Sequence, residues 1–191
     1  MNETMTIAEK KAALRSVLRK KARDLPATEA RISSEAICRS VIQWLPEYKD
    51  SGTLFVFVGT KMEINTDSII EHALAAGKTV GVPLCVSPGV MEVRSITGFR
   101  DLEPGAYGIL EPKKERPIIS PGDIDLAIVP CISCDKKRRR LGQGGGFYDR
   151  FMAKGNFPKI ALCRADFLLE EVPVEQWDLP VDGVVTETEI I

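Results

Sequence analysis

The sequence predicts an α/β domain that is built around a mainly parallel β-sheet. Short apolar runs of strand-forming residues alternate along the chain with segments whose apolar residues recur at helical spacing. This alternation is typical of right-handed βαβ crossovers, which place neighbouring strands parallel to one another. A chain of 191 residues, 44% of them hydrophobic, has the size that one hydrophobic core can hold together, so we expect a single domain over residues 1–191.

The first helix should begin at the sequence Thr-Ile-Ala-Glu, in which Thr6 and Glu9 have the spacing of a capping box. We expect it to end at Pro26, because proline does not continue a helix. Lys11 and Arg15 are four residues apart and lie at the border of the apolar stripe of this helix. The stripe consists of Ile7, Leu14, Leu18 and Leu25.

Two further helices are predicted in the first half of the chain. One runs from about Thr28 to about Pro46 and should turn four apolar residues towards the core: Ile32, Ile37, Val41 and Trp44. The other follows an N-cap at residues 65–67 and ends at Gly77. Residues 98–121 are rich in glycine and proline, and we expect them to form an ordered surface loop rather than a linker.

Five runs of apolar and β-branched residues predict strands. Residues 53–58 form a continuous run bounded by glycines, which suits a strand that is buried on both faces of a parallel sheet. The other four runs are residues 78–85, 124–129, 159–163 and 183–186.

Charge and cysteine content exclude several classes of protein. The 26 basic and 27 acidic residues leave a formal charge of -1, so no field over the whole molecule favours nucleic acid or an anionic membrane. No signal-peptide pattern or membrane-spanning apolar stretch is visible, so we expect a cytoplasmic protein with neither a membrane nor a nucleic-acid partner. The five cysteines are an odd number and suit reduced thiols.

A glycine-rich run over residues 140–150, Arg-Leu-Gly-Gln-Gly-Gly-Gly-Phe-Tyr-Asp-Arg, follows a predicted strand and a cluster of basic residues. Glycines allow positive φ angles and let several peptide amides approach one anion, and flanking guanidinium groups add positive potential. The run lacks the end of a Walker A loop, and Phe147 stands where a dinucleotide fingerprint needs its third glycine. The pattern predicts a loop that binds a polyphosphate, ATP above all, in preference to a flexible turn.

These motifs resemble those of the 5-formyltetrahydrofolate cyclo-ligase family. The hallmark of that family is a strand that ends in proline, then an aspartate, then Arg-Leu-Gly-x-Gly-x-Gly-aromatic-Tyr-Asp, and Pro130, Asp135 and residues 140–149 reproduce it. Lys11 and Arg15 on the first helix, the segment of residues 58–63 and the late Asp-x-x-Val-Asp of residues 178–182 extend the resemblance to nearly the whole chain.

The resemblance implies a three-layer α/β/α fold that is related to sugar-phosphate isomerases and CoA transferases. It also implies that 5-formyltetrahydrofolate and ATP are converted to 5,10-methenyltetrahydrofolate, ADP and phosphate, with Mg²⁺ as the metal. In this chemistry, the formyl oxygen attacks the γ-phosphorus, a folate nitrogen attacks the activated carbon, and ring closure expels phosphate.

The family's residue roles are carried over position by position. The resemblance assigns ATP binding to Lys11, Arg15, Arg140, Leu141, Gly142, Gln143, Gly144, Gly145, Gly146, Phe147 and Tyr148. It assigns folate binding to Val58, Glu63, Tyr107, Gln143, Gly144, Gly145, Gly146 and Phe147. Arg140 and Tyr148 are the expected catalytic residues, and Asp149 and Asp178 the expected metal ligands, with Asp182 an alternative to Asp178.

Several alternatives stay open at the level of sequence. The chain could be a non-catalytic nucleotide- or folate-binding regulator, or a sugar-phosphate isomerase on the related fold. The basic residues 136–139 could attract a polyglutamylated folate tail or form an ordinary solvated loop. Cys131 and Cys134 form one CxxC without a second pair, which falls short of a structural zinc site, so we expect two buried or partly buried thiols. A monomer is the expected state.

Overall fold

The structure is a computed structural model, and it describes residues 5–105 and 108–191. The helices are α1 (Ile7–Asp24), α2 (Ala27–Trp44), α3 (Pro46–Asp50), α4 (Asp67–Ala75) and α5 (Phe147–Met152). The strands are β1 (Thr53–Val56), β2 (Thr79–Ser87), β3 (Val90–Ile96), β4 (Leu102–Pro104), β5 (Leu110–Pro112), β6 (Ile118–Ile119), β7 (Leu126–Pro130), β8 (Ser133–Asp135), β9 (Arg140–Leu141), β10 (Lys159–Leu162), β11 (Leu168–Leu169) and β12 (Gly183–Val185).

A seven-stranded sheet in the order β12-β10-β7-β1-β2-β3-β6 forms the centre of the fold. The five strands from β12 to β2 are parallel to their neighbours, and β3 and β6 pair antiparallel at the β2 edge. The expected α/β fold with a mainly parallel sheet is therefore confirmed, and all five predicted strands belong to this sheet.

Side chains that alternate along the parallel strands build a core on each face of the sheet. Leu54 and Val56 lie in the core with the apolar residues of α2 and α4, whereas Phe55 between them lies in the other core. That second core contains Phe151 of α5 and Leu18 of α1. Because both faces are covered, the strands are apolar throughout rather than alternating apolar and polar.

The predicted helices are present, with two corrections on α2. α1 carries the full capping box between Thr6 and Glu9. On α2, Ile37 and Val41 are fully buried as expected, but Ile32 is 54% exposed and Trp44 is 68% exposed. Ile32 lies on the face opposite to Ile37 and Val41, and Trp44 is the final residue of the helix at the margin of the buried stripe.

Residues 98–121 are more structured than the predicted surface loop. They contain the β4–β5 hairpin and β6, which pairs with β3 at the edge of the main sheet. The β2–β3 hairpin was also not predicted, because the turn at Pro88 and Gly89 follows a strand that the sequence pattern ended at residue 85. No helix in the described ranges is long and apolar enough to cross a membrane.

A small sheet of β11, β8 and β9 leads the chain into the glycine-rich loop. β8 and β9 pair antiparallel, and the turn between them contains Arg138 with a positive φ of 62°. Arg139 in this turn forms an ion pair of 2.6 Å with the buried Asp135. Arg140 is thereby fixed at the start of the loop, beside the carboxyl end of β7.

Candidate active site

A cavity of about 880 Å³ lies at the carboxyl ends of β1 and β7. Open parallel sheets bind ligands at this edge, because the loops that follow the strands converge there. α1 and the glycine-rich loop form one wall, and the β2–β3 hairpin contributes Pro83, Cys85 and Met91 to another. The cavity is therefore large enough for a nucleotide or a folate-sized ligand to be largely enclosed.

The glycine-rich loop, residues 142–146, runs along the wall of this cavity. Gly144 has a φ of 97°, and a β-carbon there would lie 3.3 Å from Cζ of Arg15. Gly146 has a φ of 66°, and a β-carbon there would lie 2.6 Å from an Arg150 nitrogen. In the described part of the chain, no acceptor binds the peptide amides of residues 142–146, which leaves them available to an anion.

Three arginines hold the loop through its carbonyl oxygens. Nε of Arg15 donates to the Gly142 carbonyl at 2.8 Å, Arg19 donates to the carbonyl and side chain of Gln143, and Arg150 donates to the Gly145 carbonyl. Among the residues that the structure describes, none of the three forms an ion pair with a carboxylate. Their three positive charges therefore raise the potential at the cavity wall.

Lys11 is held by two carboxylates at the side of the cavity. Its ammonium lies 2.6 Å from one Asp178 oxygen and 3.0 Å from Glu175, and its side chain is 6% exposed. Asp178 also accepts the Glu175 amide, which closes the turn that presents both carboxylates. A buried ammonium with two acidic partners is locally fixed, and the cluster carries a net negative charge.

Arg140 is buried between the loop and the sheet. Its guanidinium donates to Asp149 at 2.8 Å and to the Pro130 carbonyl at 3.1 Å, and its side chain is 3% exposed. Its Nε has no hydrogen-bond partner within the described ranges. This pairing fixes the carboxylate of Asp149 and the orientation of the guanidinium. Cζ of Arg140 lies 5.9 Å from the centre of the Tyr148 ring.

Tyr148 follows the loop in α5 and stacks on Phe55 of β1 at a ring distance of 6.0 Å. Burial of the hydroxyl, followed by the nearby charge of Glu63, raises the pKa of Tyr148 well above its usual range. The phenol is therefore protonated at all physiological pH values and can donate a hydrogen bond into the cavity.

The part of the cavity wall that follows β1 combines apolar and acidic residues. Val58 and Glu63 follow β1 and line the cavity, and an oxygen of Glu63 accepts the Thr60 amide at 3.1 Å. Phe147 adds an aromatic ring from the start of α5. Tyr107, which the family resemblance places at the folate, lies outside the described residues.

The structure places Leu141, Asp182 and the basic residues 136–139 outside the cavity lining. Leu141 does not line the cavity: it is fully buried in the core, because it alternates with Arg140 along β9 and faces the opposite way. Asp182 accepts the Lys159 amide away from the cavity, so Asp178 is the aspartate that lies at the site. The basic residues 136–139 also lie outside the cavity lining.

Several side chains of the site were assigned no role from the sequence, among them four charged groups and one tryptophan. Arg19 had a visible signal, because it continues the four-residue spacing of the two cations already assigned on α1. Arg150 directly follows the family motif, and Glu175 precedes Asp178 by one helical turn's spacing. Trp177 is 62% exposed at the cavity. Glu111 had no signal, because its place near Cys85 depends on the β4–β5 hairpin.

Comparison with known proteins gives one consistent result. Residues 7–187 match the model of the 5-formyltetrahydrofolate cyclo-ligase family. A probable 5-formyltetrahydrofolate cyclo-ligase of Schizosaccharomyces pombe is 30% identical over an alignment of 199 positions, which covers 95% of this chain and 97% of that protein. The 5-formyltetrahydrofolate cyclo-ligase of Escherichia coli is 32% identical over 144 residues, which cover 72% of this chain and 79% of that protein.

A solved structure agrees with the sequence relatives. The NMR structure of 5,10-methenyltetrahydrofolate synthetase from Aquifex aeolicus superimposes with a TM-score of 0.84 at 29% identity, and covers 94% of this chain and 91% of that one. The family model spans nearly the whole chain, and the solved structure shares its fold. The chain therefore belongs to the 5-formyltetrahydrofolate cyclo-ligase family.

Proposed function

We propose that this protein is an ATP-dependent ligase that converts 5-formyltetrahydrofolate to 5,10-methenyltetrahydrofolate, with release of ADP and phosphate. The observation that carries the proposal is the glycine-rich loop held by Arg15, Arg19 and Arg150, whose guanidinium groups hydrogen-bond only to carbonyl oxygens within the described residues. Positive charge beside unused peptide amides is the environment that a polyphosphate needs. Family membership supports the folate reaction.

The reaction requires positioning and charge neutralisation more than a protein nucleophile. The formyl oxygen attacks the γ-phosphorus of ATP and ADP leaves; a folate nitrogen then attacks the activated formyl carbon, and ring closure expels phosphate. Negative charge moves between oxygens in both steps, so fixed cations and hydrogen-bond donors lower the barrier. We assign these roles to the guanidinium of Arg140 and the protonated hydroxyl of Tyr148.

The two substrates are proposed to use different parts of the cavity wall. Lys11, Arg15 and the amides of residues 142–146 contact the phosphates, with Gln143, Phe147 and Tyr148 beside them. The folate packs against Val58, Glu63 and Phe147 and shares the later glycines of the loop. The carboxylate of Glu63 is suited to accept hydrogen bonds from the N–H groups of a pterin.

The oxygen donors in the cavity fit Mg²⁺, a hard cation that takes one or two carboxylates together with phosphate oxygens. Asp149 and Asp178 would hold the ion, and it would neutralise charge on the transferred phosphoryl group. Both carboxylates contact a cation in the structure, Arg140 and Lys11 respectively. Metal binding at either one therefore competes with an existing ion pair.

The decisive experiment follows the absorbance of methenyltetrahydrofolate after mixing the protein with 5-formyltetrahydrofolate and magnesium-ATP. Arg15→Met should raise the KM for ATP, because it removes a charged contact to the phosphates, whereas the exposed Lys20→Met on the same helix should leave the kinetics unchanged. Arg140→Ala and Asp149→Ala should depress turnover. No product from folded protein that still binds ATP would contradict the ligase assignment.

The alternatives have their own readouts. Turnover of a ketose phosphate without ATP would identify a sugar-phosphate isomerase, and tight binding of both ligands without product would identify a regulator. We propose further that the protein is a single-domain monomer of the cytoplasm that accepts polyglutamylated folate, with a fold related to sugar-phosphate isomerases and CoA transferases. One central sheet covered on both faces supports a single domain, and free thiols suit a reducing compartment such as the cytoplasm.

A further inference from the structure

Three cysteines from two parts of the sequence converge beside the cavity. Cys131 follows β7, Cys134 lies in β8, and Cys163 follows β10. Their sulfur atoms all lie within 4.8 Å of one another. The sequence showed only the CxxC pair of Cys131 and Cys134, and the third thiol joins them through the fold alone.

The register of the central sheet explains this meeting. β10 and β7 are parallel neighbours, and Leu162 pairs with Pro130 at their carboxyl ends. The next residue on each strand is a cysteine, so Cys163 and Cys131 leave the sheet side by side. Cys134 returns over them on β8, and it is fully buried. Cys163 is 2% exposed, whereas Cys131 is partly exposed and lines the cavity.

The sulfur spacing matches the requirement of one shared metal ion. Zinc–sulfur bonds of about 2.3 Å hold thiolates about 4 Å apart in trigonal or tetrahedral sites. Sulfurs that already lie within 4.8 Å need only small side-chain movements to meet one ion. Thiolates are also the ligands that select zinc and copper(I) over harder cations such as magnesium.

Two buried arginines lie beside the three cysteines in the sequence or in the strand pairing. Arg140 pairs with Cys134 in the β8–β9 ladder, and Arg164 directly follows Cys163. Both residues are more than nine-tenths buried, and within the described ranges Nε of each guanidinium has no hydrogen-bond partner. A site with three thiolates and one divalent ion has a net charge of -1. The Arg164 guanidinium offsets this charge, because Arg140 is already paired with Asp149.

We propose that Cys131, Cys134 and Cys163 bind one thiophilic metal ion of the zinc class, with the fourth coordination position open towards the ligand cavity. Three protein ligands with one open position is an arrangement that zinc adopts in proteins. The partly exposed Cys131 is the route by which the ion enters and by which a water or ligand atom completes the coordination. This site is separate from the proposed magnesium ligands, which are carboxylates.

The test uses the full-length protein, reduced and stripped of metal with a chelator. Titration with Co²⁺ should produce thiolate-to-metal charge-transfer absorption with a one-to-one endpoint, and Zn²⁺ should bleach it. Competition against a chromogenic chelator then gives the zinc affinity. Serine substitution of each cluster thiol should weaken zinc binding by about 100-fold, because the binding free energy of such sites is shared among about four ligands. The cluster variants are Cys131→Ser, Cys134→Ser and Cys163→Ser.

Two matched controls lie in the same chain. Cys38→Ser and Cys85→Ser remove thiols that are not in the cluster and should leave zinc binding unchanged. Cys131→Ser shows whether a loss of zinc binding is caused by misfolding. It changes the most exposed of the three thiols, so its melting temperature without metal should equal that of the parent. Zinc should also protect Cys131 from iodoacetamide.

Either of two results would overturn the proposal. One is the absence of charge-transfer absorption and of zinc-dependent stabilisation in folded, reduced protein. The other is zinc binding that Cys163→Ser and Cys134→Ser leave at the parental affinity, since the ion would then be held elsewhere. In both cases the three residues are ordinary packed thiols.

Discussion

Replacing Gly144 by alanine tests how the glycine-rich loop depends on Arg15. Gly144 has a φ of 97°, and an added β-carbon would lie 3.3 Å from the carbon at the centre of the Arg15 guanidinium. Two separate costs follow. Backbone strain of an L-residue in the left-handed region is about 1–2 kcal/mol. The Arg15 guanidinium must also shift by a few tenths of an ångström, which strains its 2.8 Å bond to the Gly142 carbonyl.

These costs should appear in different measurements. The strain lowers the free energy of unfolding by about 1–2 kcal/mol, or the melting temperature by about 2–8 °C for a chain of this size. A charged hydrogen bond of the kind that Arg15 is proposed to make to the phosphates is worth about 1.5–3 kcal/mol, so displacing the guanidinium predicts a rise of up to roughly 100-fold in the KM for ATP. The KM for 5-formyltetrahydrofolate should change much less.

Gly77→Ala is the matched control. Gly77 has a φ of 75°, similar to that of Gly144, but no atom lies within 4 Å of the position of its β-carbon. It should therefore lose similar stability in urea or thermal unfolding and keep its ATP kinetics, measured by methenyltetrahydrofolate absorbance at varied ATP. The double variant Gly144→Ala with Arg15→Met should bind ATP no worse than Arg15→Met alone.

The reasoning is refuted if Gly144→Ala and Gly77→Ala have the same KM for ATP. It is also refuted if Gly144→Ala still weakens ATP in the Arg15→Met background, because the loop would then act through contacts other than this arginine.

Three further predictions concern charged and ionisable groups. Asp178→Asn removes one of two partners of a buried ammonium and should lower the free energy of unfolding by about 2 kcal/mol, whereas the exposed Asp182→Asn should cost much less. Burial raises the pKa of Asp135, but the amide and guanidinium hydrogen bonds that it accepts outweigh burial and hold the pKa below its ordinary value. The stability that Asp135 contributes is therefore present at pH values above the ordinary pKa of a carboxyl group, and it is lost as the pH falls through the pKa of Asp135 in the folded protein. Asp135→Asn should consequently be less stable at neutral pH, and its free energy of unfolding should fall less steeply as the pH is lowered. Burial, together with a hydrogen bond and the charge of Glu111, raises the pKa of Cys85 to about 11. Iodoacetamide should therefore alkylate Cys85 slowly at pH 7 and faster as the pH approaches 11. Because Cys85 lines the cavity, bound substrates should protect it from alkylation.

Each of these has a contrary outcome. Equal urea midpoints for Asp178→Asn and Asp182→Asn would mean that the Lys11 cluster contributes nothing to stability. Parallel acid limbs for Asp135→Asn and its parent would mean that this carboxylate has an ordinary pKa in the folded protein. Rapid alkylation of Cys85 at neutral pH would contradict a raised thiol pKa.

Local patterns were sufficient to predict the elements that depend on nearby residues. The capping box of Thr6 and Glu9 fixes the start of α1, since both bonds form within one helical turn. Continuous apolar runs predicted the parallel strands, because burial on both faces leaves no polar alternation. The loop at residues 142–146 was recognisable for a similar reason, as its glycines are required by the positive φ angles at Gly144 and Gly146.

Features that depend on distant pairing were not visible. Glu111 reaches the cavity because β4 and β5 form a hairpin and place its oxygen 3.1 Å from the Cys85 amide, and no short-range pattern encodes that approach. Ile32 is an error of the other kind, because the sequence pattern placed it in the core and the structure exposes it. An apolar residue on a helix need not face the core. Cys163 joins the CxxC only through the register of β10 and β7.

Arg150 connects two walls of the cavity that come from distant parts of the sequence. Its Nε donates to the Gly89 carbonyl at the tip of the β2–β3 hairpin at 2.7 Å, and the same guanidinium donates to the Gly145 carbonyl. One guanidinium therefore links the hairpin tip to the glycine-rich loop. A ligand that orders either wall lowers the entropy cost of ordering the other, so ATP and folate should each tighten the binding of the other by the same factor.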